Sequence, residues 1–526
     1  MSVKLARSAG LISIATMASR LLGVVREMVL AAFFGAGTQM DAFNVAFRVP
    51  NLLRDLFAEG AMTAAFIPTF TRTLTQQGRD AARRLGNLVI NALLVVTGLL
   101  VILGILFASP ITHAIAPGFA AVPGKLELTT QLTRIMLPFL TTVAVAVAMM
   151  GMLNSLGRFF IPALAPAMFN VATIVCAFAL VPLMPRVGLS PIAAIAIGTL
   201  LGGLGQIALQ WPVLRKQGFR YQPVFDFKDP ALREVLRLMG PGTLGLAAVQ
   251  INVFVNTYLA TSQEEGAVSW LSVAFRLMYL PIGLFGVSIA TAALPEIARR
   301  ANDGDFAGMR RSISGALRMM LMLNVPATIG LLALAHPIVA LLLERGRFTP
   351  ADTAATAAAL MFYAPGLLAY SVVKIASPSF YSLRDSRTPV TVSVISVLAN
   401  LGINLVLVDV MGYRGLALGT ALAAIFNAGA LLWLLRNRLD GLEGRRVAIA
   451  FAKIACASIA MGIAAHYTSR WLAWHLPPSG SLWRALELAT AIGVGVAILV
   501  ASARVLRIAE FDEAFGRVLR RLRPTG

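Results

Sequence analysis

The chain has 526 residues, of which 58% are hydrophobic and only 13% are charged, and its mean hydropathy is +0.78. A soluble domain carries roughly a quarter charged residues, so this composition excludes an ordinary globular protein. The net charge of +21 would suit a nucleic-acid-binding protein, but membrane proteins also concentrate lysine and arginine in their cytoplasmic loops. The positions of these charges along the chain decide between the two classes.

Apolar segments of about 20 residues recur along the whole chain, and each can cross the ~30 Å hydrocarbon core as a helix. We predict an all-α polytopic membrane protein with 14 transmembrane helices, because the apolar runs are continuous and lack the alternation of barrel strands. The second and eighth spans exceed what a bilayer needs and should tilt or bend. The predicted spans are 8–34, 39–70, 86–109, 128–152, 160–184, 190–213, 233–260, 267–297, 312–333, 355–378, 388–408, 414–435, 447–467 and 483–503.

The basic residues gather in alternate connections between these spans. The opposite connections contain little positive charge beyond Lys125, Arg186, Arg345, Arg347, Arg414, Arg470 and Arg484. The positive-inside rule therefore places both termini in the cytoplasm, which agrees with an even number of spans. Most of the net charge is explained by orientation in the membrane, so nucleic acid is not an expected partner.

The chain contains an internal repeat. The segment 45–48 (VAFR) recurs as 273–276 at an offset of 228 residues. Five proline pairs then share an offset of 227: Pro68/Pro295, Pro110/Pro337, Pro123/Pro350, Pro138/Pro365 and Pro162/Pro389. An offset of six helices predicts two parallel repeats, an N-lobe at 1–220 and a C-lobe at 221–440, the usual basis of alternating access. Helices 13 and 14 and a basic tail at 441–526 lie outside the repeat.

Charged residues occur within the predicted helices, where each costs about 2.5–3.5 kcal/mol and should face protein or water. They include Arg20, Arg26, Glu27, Asp41, Arg48, Arg54, Asp55, Glu59, Arg276, Arg318 and Lys374. Internal ion pairs between helices would explain single residues of this set. The excess of arginine favours a water-filled cavity for an anion, because the planar guanidinium group suits phosphate.

The sequence lacks the common motifs for metal binding, nucleotide binding and hydrolysis. Cys176 and Cys456 lie far apart in apolar segments and predict core residues rather than a disulfide or metal pair. The four histidines form no ligand-spaced cluster, and there is no P-loop and no HExxH motif. We therefore expect no cofactor and no enzymatic activity.

Several longer motifs are specific as a set. They are SRLLGVVRE at 19–27, GAG and DAF within 35–43, PNLLR at 50–54, FAEGA at 57–61, APGF at 116–119 and RLM at 276–278. Over essentially its whole length the chain resembles the MurJ (MviN) lipid II flippase family, within the multidrug/oligosaccharidyl-lipid/polysaccharide exporter superfamily. The resemblance implies that the chain flips lipid II, a peptidoglycan precursor, from the cytoplasmic to the periplasmic leaflet during cell-wall biogenesis.

The resemblance also implies site residues. It implies that Arg20, Arg26, Arg54 and Arg276 line a central cavity and bind the diphosphate and sugars, and we add Asn51 to this substrate-binding set. Support of the cavity or its gate is expected from Ser19, Glu27, Asp41, Arg48, Asp55, Glu59 and Lys374. Helices 13 and 14 of the family form a hydrophobic groove, which implies a path for the undecaprenyl tail. The expected partners are lipid II, membrane lipids and the cell-wall synthesis machinery, and we expect a monomer.

Two departures from the family pattern affect the mechanism. Tyr279 stands where some relatives have a glutamate after the RLM motif, so an acidic role there is lost. Some members are thought to hold sodium with acids, whereas the matching positions here are Asn256, Asn400, Asn404 and Thr420. Without a carboxylate such a site should be weak, which leaves membrane potential or a monovalent cation as the energy source.

Alternative functions differ in what they require. A multidrug exporter of the same superfamily should have acidic and aromatic groups in its cavity, and an exporter of another polyprenyl-linked oligosaccharide would share the arginines. A membrane glycosyltransferase would need a large outer loop with catalytic acids, which the predicted topology lacks. A scaffold protein would need no charged residues inside its helices.

Overall fold

The computed structural model describes residues 3–55, 61–226, 228–475 and 480–512. Regular structure in these ranges is helical throughout, so the all-α class is confirmed. The helices are α1 Val3–Phe34, α2 Thr38–Arg54, α3 Ala61–Gln76, α4 Gly78–Leu106, α5 Ala108–Ile115, α6 Lys125–Met136, α7 Phe139–Ser155, α8 Phe160–Leu164, α9 Ala167–Leu180, α10 Ala193–Lys216, α11 Pro230–Thr261, α12 Ala267–Pro281, α13 Val287–Asn302, α14 Phe306–Leu343, α15 Pro350–Ser382, α16 Arg387–Met411, α17 Tyr413–Arg438, α18 Gly444–His475 and α19 Ser481–Val505.

Eleven helical segments within the described ranges are long and apolar enough to cross a membrane. They correspond to the predicted third to sixth and eighth to fourteenth spans, so the multi-pass helical class is confirmed. The other three predicted spans contain α1, α2 with α3, and α11, and they are not among the eleven. Residues 56–60, inside the second of these spans, lie outside the described ranges. The number of 14 transmembrane helices therefore stays a prediction.

Two long helical segments lose regular α-helical geometry close to a proline. The predicted eighth span consists of α12 and α13, which are joined after Pro281 by a π-helical turn at Ile282–Gly286. In α14 the backbone leaves helical geometry at Leu334, three residues before Pro337. Proline has no N–H to donate, and its ring crowds the preceding turn of the helix. The nearby prolines therefore explain both departures from regular helix.

The first compact unit comprises Met1–Ser269 with Arg345–Phe348. Its main core lies where α3, α4 and α7 pack together, around Phe66, Leu88 and Phe139. Further packing joins α9 to α1 and α10, and α2 to α6. These contacts position the charged residues of α1 and α2 against buried helices of the same unit.

The second compact unit comprises Trp270–Glu344 with Thr349–Gly526. Here α15 packs against α14 and α17 around a core that includes Phe380 and Leu431. Helix α18 packs against α14 and α19 around Ile454 and Ala457. The predicted lobes at 1–220 and 221–440, and the additional segment at 441–526, stay predictions.

Candidate functional site

Arg26 contacts its neighbour Glu27 in α1 and an aromatic ring of α9. Its guanidinium group forms an ion pair with Glu27, and both side chains are largely buried, with 16% and 15% exposed. The guanidinium carbon also lies 4.9 Å from the ring centroid of Phe169 in α9, within the range of a cation–π interaction. The next residue of α9, Asn170, donates a hydrogen bond of 3.1 Å to the backbone carbonyl of Ser19. Helix α9 therefore fixes the face of α1 that carries the predicted site residues.

Arg54 lies at the end of α2 in a polar group that also involves α11. Its Nη2 lies 2.9 Å from Oδ1 of Asp55. The other carboxylate oxygen of Asp55 accepts hydrogen bonds from Asn51 at 3.4 Å and from Gln250 at 3.2 Å. Sequence analysis did not identify Gln250, although a glutamine in the middle of a long, mainly apolar helix is a signal that could have done so.

The two arginines are connected through Phe169. Arg26 lies over the ring of this residue, and Arg54 and Phe169 line the same small cavity of about 150 Å³. Guanidinium groups bind phosphate in a planar, two-pronged manner. This part of the first unit therefore carries two groups that could bind one diphosphate, whereas Arg20 is exposed on α1.

Asp41 is the centre of a second, fully buried polar group. Its carboxylate lies 2.9 Å from Nζ of Lys125 in α6. It also accepts hydrogen bonds from the backbone N–H of Gly266 at 2.8 Å, from that of Ser269 at 3.0 Å, and from the Ser269 hydroxyl at 2.7 Å. The helix dipole favours a negative charge at the start of α12. The carboxylate therefore joins α2 to α6 and to the beginning of α12.

Lys125 is one of the few charges that the sequence placed in the opposite connections, and in the structure it is a buried partner of Asp41. Its side chain is only 3% exposed and faces Asp41. A lysine at the first residue of a helix looks like a solvated loop cation, so the sequence contains no signal for this contact. The ammonium group also lies 4.2 Å from the ring centroid of Phe119.

A neighbouring contact joins the start of α2 to the connection between α11 and α12. The backbone N–H of Thr38 donates to Oε1 of Glu265 at 2.8 Å, and the Thr38 hydroxyl donates to the same oxygen. The hydroxyl first, and then the backbone N–H, hold the pKa of Glu265 below its ordinary value. Glu265 is therefore a second acid at the same end of α2 as Asp41.

The remaining predicted residues occupy less distinctive positions. Arg48 in α2 and Arg276 in α12 are half-buried, and Lys374 in α15 is exposed. Tyr279, the departure from the family pattern, is partly exposed and stacks on Phe275 with ring centroids 5.9 Å apart. Glu59 lies outside the described residues. The roles assigned to these residues stay predictions.

The weak sodium candidate is divided between the two units. Asn256 lies in α11 of the first unit, where its side chain donates to Asn252 at 3.1 Å. In the second unit the Asn404 amide donates to Asn400 at 3.1 Å, and the Thr420 hydroxyl donates to the carbonyl of Leu416. Among the described residues there is no cluster of three or more His, Cys, Asp or Glu side chains. The sodium site stays a prediction.

Comparison with known sequences gives one consistent family. A family model described as "Lipid II flippase MurJ" matches residues 30–479. A "Probable lipid II flippase MurJ" of Vibrio cholerae is 35% identical over 517 residues, which cover 95% of this chain and 96% of the relative. A "Lipid II flippase MurJ" of Burkholderia cenocepacia is 33% identical over 427 residues, which cover 80% and 82% of the two chains.

Solved structures agree with the sequence comparison. A structure described as "Lipid II flippase MurJ, inward closed conformation" has a TM-score of 0.75 and 26% identity, and the match covers 94% of this chain and 99% of that one. An inward-facing multidrug resistance MATE transporter of the MOP superfamily has a TM-score of 0.68 at 16% identity, covering 81% and 96%. The second likeness shows the fold alone.

Proposed function

We propose that this chain, which belongs to the MurJ family of lipid II flippases, moves lipid II from the cytoplasmic to the periplasmic leaflet of the bacterial inner membrane. The chain is a multi-pass membrane transporter rather than an enzyme. The observation that carries the proposal is the pair Arg26 and Arg54, held around Phe169 in the first unit.

The chemistry of the substrate explains why arginine is needed. The head group of lipid II is a diphosphate linked to sugars and a peptide, and a bare anion cannot cross hydrocarbon at a useful rate. Charge-assisted hydrogen bonds from guanidinium groups would replace the water that the phosphates lose. We assign this role to Arg26 and Arg54 together with Arg20, Asn51 and Arg276.

The acids beside the arginines suggest how the empty transporter resets. Arg26 pairs with Glu27, and Arg54 pairs with Asp55. Each arginine would exchange its carboxylate for a phosphate when substrate binds and recover it after release. The positive charge would then be compensated in both states, which lowers the barrier to movement of the empty protein.

The topology that we propose puts the Asp41 group on one particular side of the membrane. We propose 14 helices in two parallel six-helix lobes with both termini in the cytoplasm, so that Asp41 and Lys125 lie at the periplasmic side. The bonds from Gly266 and Ser269 to Asp41 would then hold this side closed. Opening toward the periplasm and release of the substrate would require that these bonds break, and they would re-form when the empty transporter closes this side again.

The last two helices suit the lipid tail. Helix α18 exposes large apolar side chains that include Ile459, Ile463 and Trp471, and α19 exposes Leu486 and Ile492. Surfaces of this kind favour contact with acyl or polyprenyl chains. We propose that the undecaprenyl tail lies along these helices while the head group crosses.

The energy source that we propose is the membrane potential acting on the charged site. A potential of 100 mV is worth about 2.3 kcal/mol per elementary charge moved across the membrane. Proteoliposomes with an imposed potassium diffusion potential should therefore flip lipid II faster than those without one. Replacement of sodium by choline on both sides should have no effect, and a strict sodium requirement would contradict this proposal.

Flipping of fluorescent lipid II by the reconstituted chain tests the function itself. Arg26→Ala and Arg276→Ala should each reduce the flipping rate by about tenfold or more, because each removes charge-assisted hydrogen bonds. Arg83→Ala provides the matched control, since Arg83 is partly exposed and pairs with the exposed Asp80 one turn away. Full flipping activity of both site variants in correctly inserted protein would exclude the assigned roles.

A further inference from the structure

A small cavity of about 150 Å³ lies inside the first unit beside Arg54. Its walls are mostly apolar and include Val143 of α7 and Phe169 of α9. Besides Arg54, the polar side chains that line it are the carboxamides of Gln206 and Gln210 in α10. The cavity is therefore an apolar recess with an arginine and two amides in its wall.

Gln210, one of the two glutamines in the wall of this recess, has an unused hydrogen-bond acceptor. The residue is only 1% exposed, and its Nε2 donates to the backbone carbonyls of Ala146 at 3.1 Å and Gln206 at 3.2 Å. These two bonds fix the orientation of the amide, because a carbonyl oxygen could not donate them. The opposite atom, Oε1, is buried and has no hydrogen-bond partner among the described residues. A buried acceptor of this kind requires a donor.

The position beside Arg54 restricts which donor could enter. If Arg54 binds the diphosphate, as in the proposed function on which this inference rests, the recess must take a group attached close to the diphosphate. In lipid II the sugar that carries the diphosphate on its anomeric carbon carries an acetamido group on the next ring carbon. That group has one N–H donor and a methyl group, which match an acceptor in an apolar wall.

We propose that this cavity is the subsite for the acetamido group of the first sugar of lipid II. The acetamido N–H donates to Oε1 of Gln210, and the methyl group packs against Val143 and Phe169. The size is suitable, since a cavity of about 150 Å³ can hold a benzene molecule, which is larger than an acetamido group. Gln210 is thereby a specificity-determining residue for sugars with a nitrogen at this ring position.

A lipid II analogue that lacks the acetamido N–H should bind this subsite less tightly. An analogue in which an acetate ester replaces the acetamide of the first sugar keeps the shape but loses the N–H. A site built around a hydrogen-bond acceptor discriminates against a ligand that lacks the donor. The full-length chain in lipid nanodiscs should therefore bind lipid II about tenfold more tightly than the ester analogue.

Two variants and one control complete the test. Gln210→Met should remove the preference for the acetamide, because methionine has a similar length and no comparable acceptor. Ala165→Leu, which fills the recess from another wall, should weaken binding of both lipids. Gln217→Met makes the same change as Gln210→Met at the end of the same helix, away from the recess, and should leave the preference unchanged.

The outcomes separate this inference from the proposed function. Equal affinity of the wild-type chain for both lipids, with lipid II still flipped, would overturn the subsite and leave the flippase function intact. An acetamide preference that survives in Gln210→Met would also overturn it, because the preference would then arise from other residues. If neither lipid binds the wild-type chain, the proposed function fails and the subsite fails with it.

Discussion

The ammonium group of Lys125 lies 2.9 Å from the carboxylate of Asp41, and the two side chains are only 3% and 1% exposed. A buried ion pair of this kind contributes little net stability, but removal of one partner leaves a buried charge that costs about 3–5 kcal/mol. The pair therefore holds α2 and α6 together only while both charges are present.

Lys125→Met should strongly destabilise the protein, since it leaves the Asp41 carboxylate without its counter-charge. We expect a loss of about 3 kcal/mol or more in the free energy of unfolding, seen as a lower midpoint in thermal unfolding of the purified chain. The double variant Lys125→Met/Asp41→Leu should recover part of this loss. Equal stability of Lys125→Met and the wild type would contradict the buried-pair assignment.

The contact between Glu265 and Thr38 should make the stability of the chain depend on pH. Hydrogen bonds from Thr38 hold the pKa of Glu265 below its ordinary value, so folding favours the ionised carboxylate. A depressed pKa contributes stability that is fully present above the unfolded-state pKa of about 4.3. This contribution is lost as the pH falls through the folded-state pKa.

Glu265→Gln should therefore destabilise the chain at pH 7 and matter less under acidic conditions. Because Glu265 is exposed, the effect should be below about 1 kcal/mol. Thermal unfolding of both proteins measures the difference between the midpoints, which should stay constant down to the unfolded-state pKa of about 4.3 and narrow only below it. A difference between the two midpoints that widens as the pH falls would contradict the lowered pKa of Glu265.

Much of the architecture could be predicted from local patterns, whereas the contacts of the site could not. Hydropathy placed eleven of the spans where the structure has suitable helices, because membrane insertion depends on short continuous apolar runs. Charge within helices also singled out Arg26, Asp41 and Arg54. The same reasoning missed Lys125 and Phe169, since each meets its partner across a long stretch of chain and such pairings leave no local periodicity.

Two glycines of the first unit should respond in opposite ways to alanine. A Cβ at Gly118 would lie 2.3 Å from the backbone carbonyl oxygen of Thr261, whereas a Cβ at Gly98 in α4 would meet no atom within 4 Å. Gly118→Ala should force backbone movement and destabilise the chain by about 1–3 kcal/mol. Gly98→Ala should be neutral or stabilising by up to about 1 kcal/mol, because alanine favours the helix.

Thermal unfolding of the two glycine variants checks this prediction. The chemical change is the same in both, so any general effect of an added methyl group cancels in the comparison. If Gly118→Ala unfolds at the same temperature as Gly98→Ala, the segment Pro117–Ala121 does not pack against the end of α11 as described.

The last prediction concerns how the segment after α19 is attached. Arg318 in α14 forms an ion pair with Glu510, and their side chains are 28% and 9% exposed. Since Glu510 is buried, Arg318→Ala leaves its carboxylate without this partner and should destabilise the chain by about 1–3 kcal/mol. Arg446→Ala is the matched control, because Arg446 is 69% exposed in its pair with Glu443 and such surface pairs are worth about 0–1 kcal/mol.

Limited proteolysis of these two variants separates local from global effects. Loss of the Arg318 pair should release the segment from α14 and speed cleavage after α19 more than it lowers the unfolding midpoint. The charge-swapped double variant Arg318→Glu/Glu510→Arg should restore much of the protection, because the pair is re-formed with its sign reversed. If the swap protects no better than Arg318→Ala alone, packing of Ile508 and Phe511 into the adjoining core, rather than the ion pair, holds the segment in place.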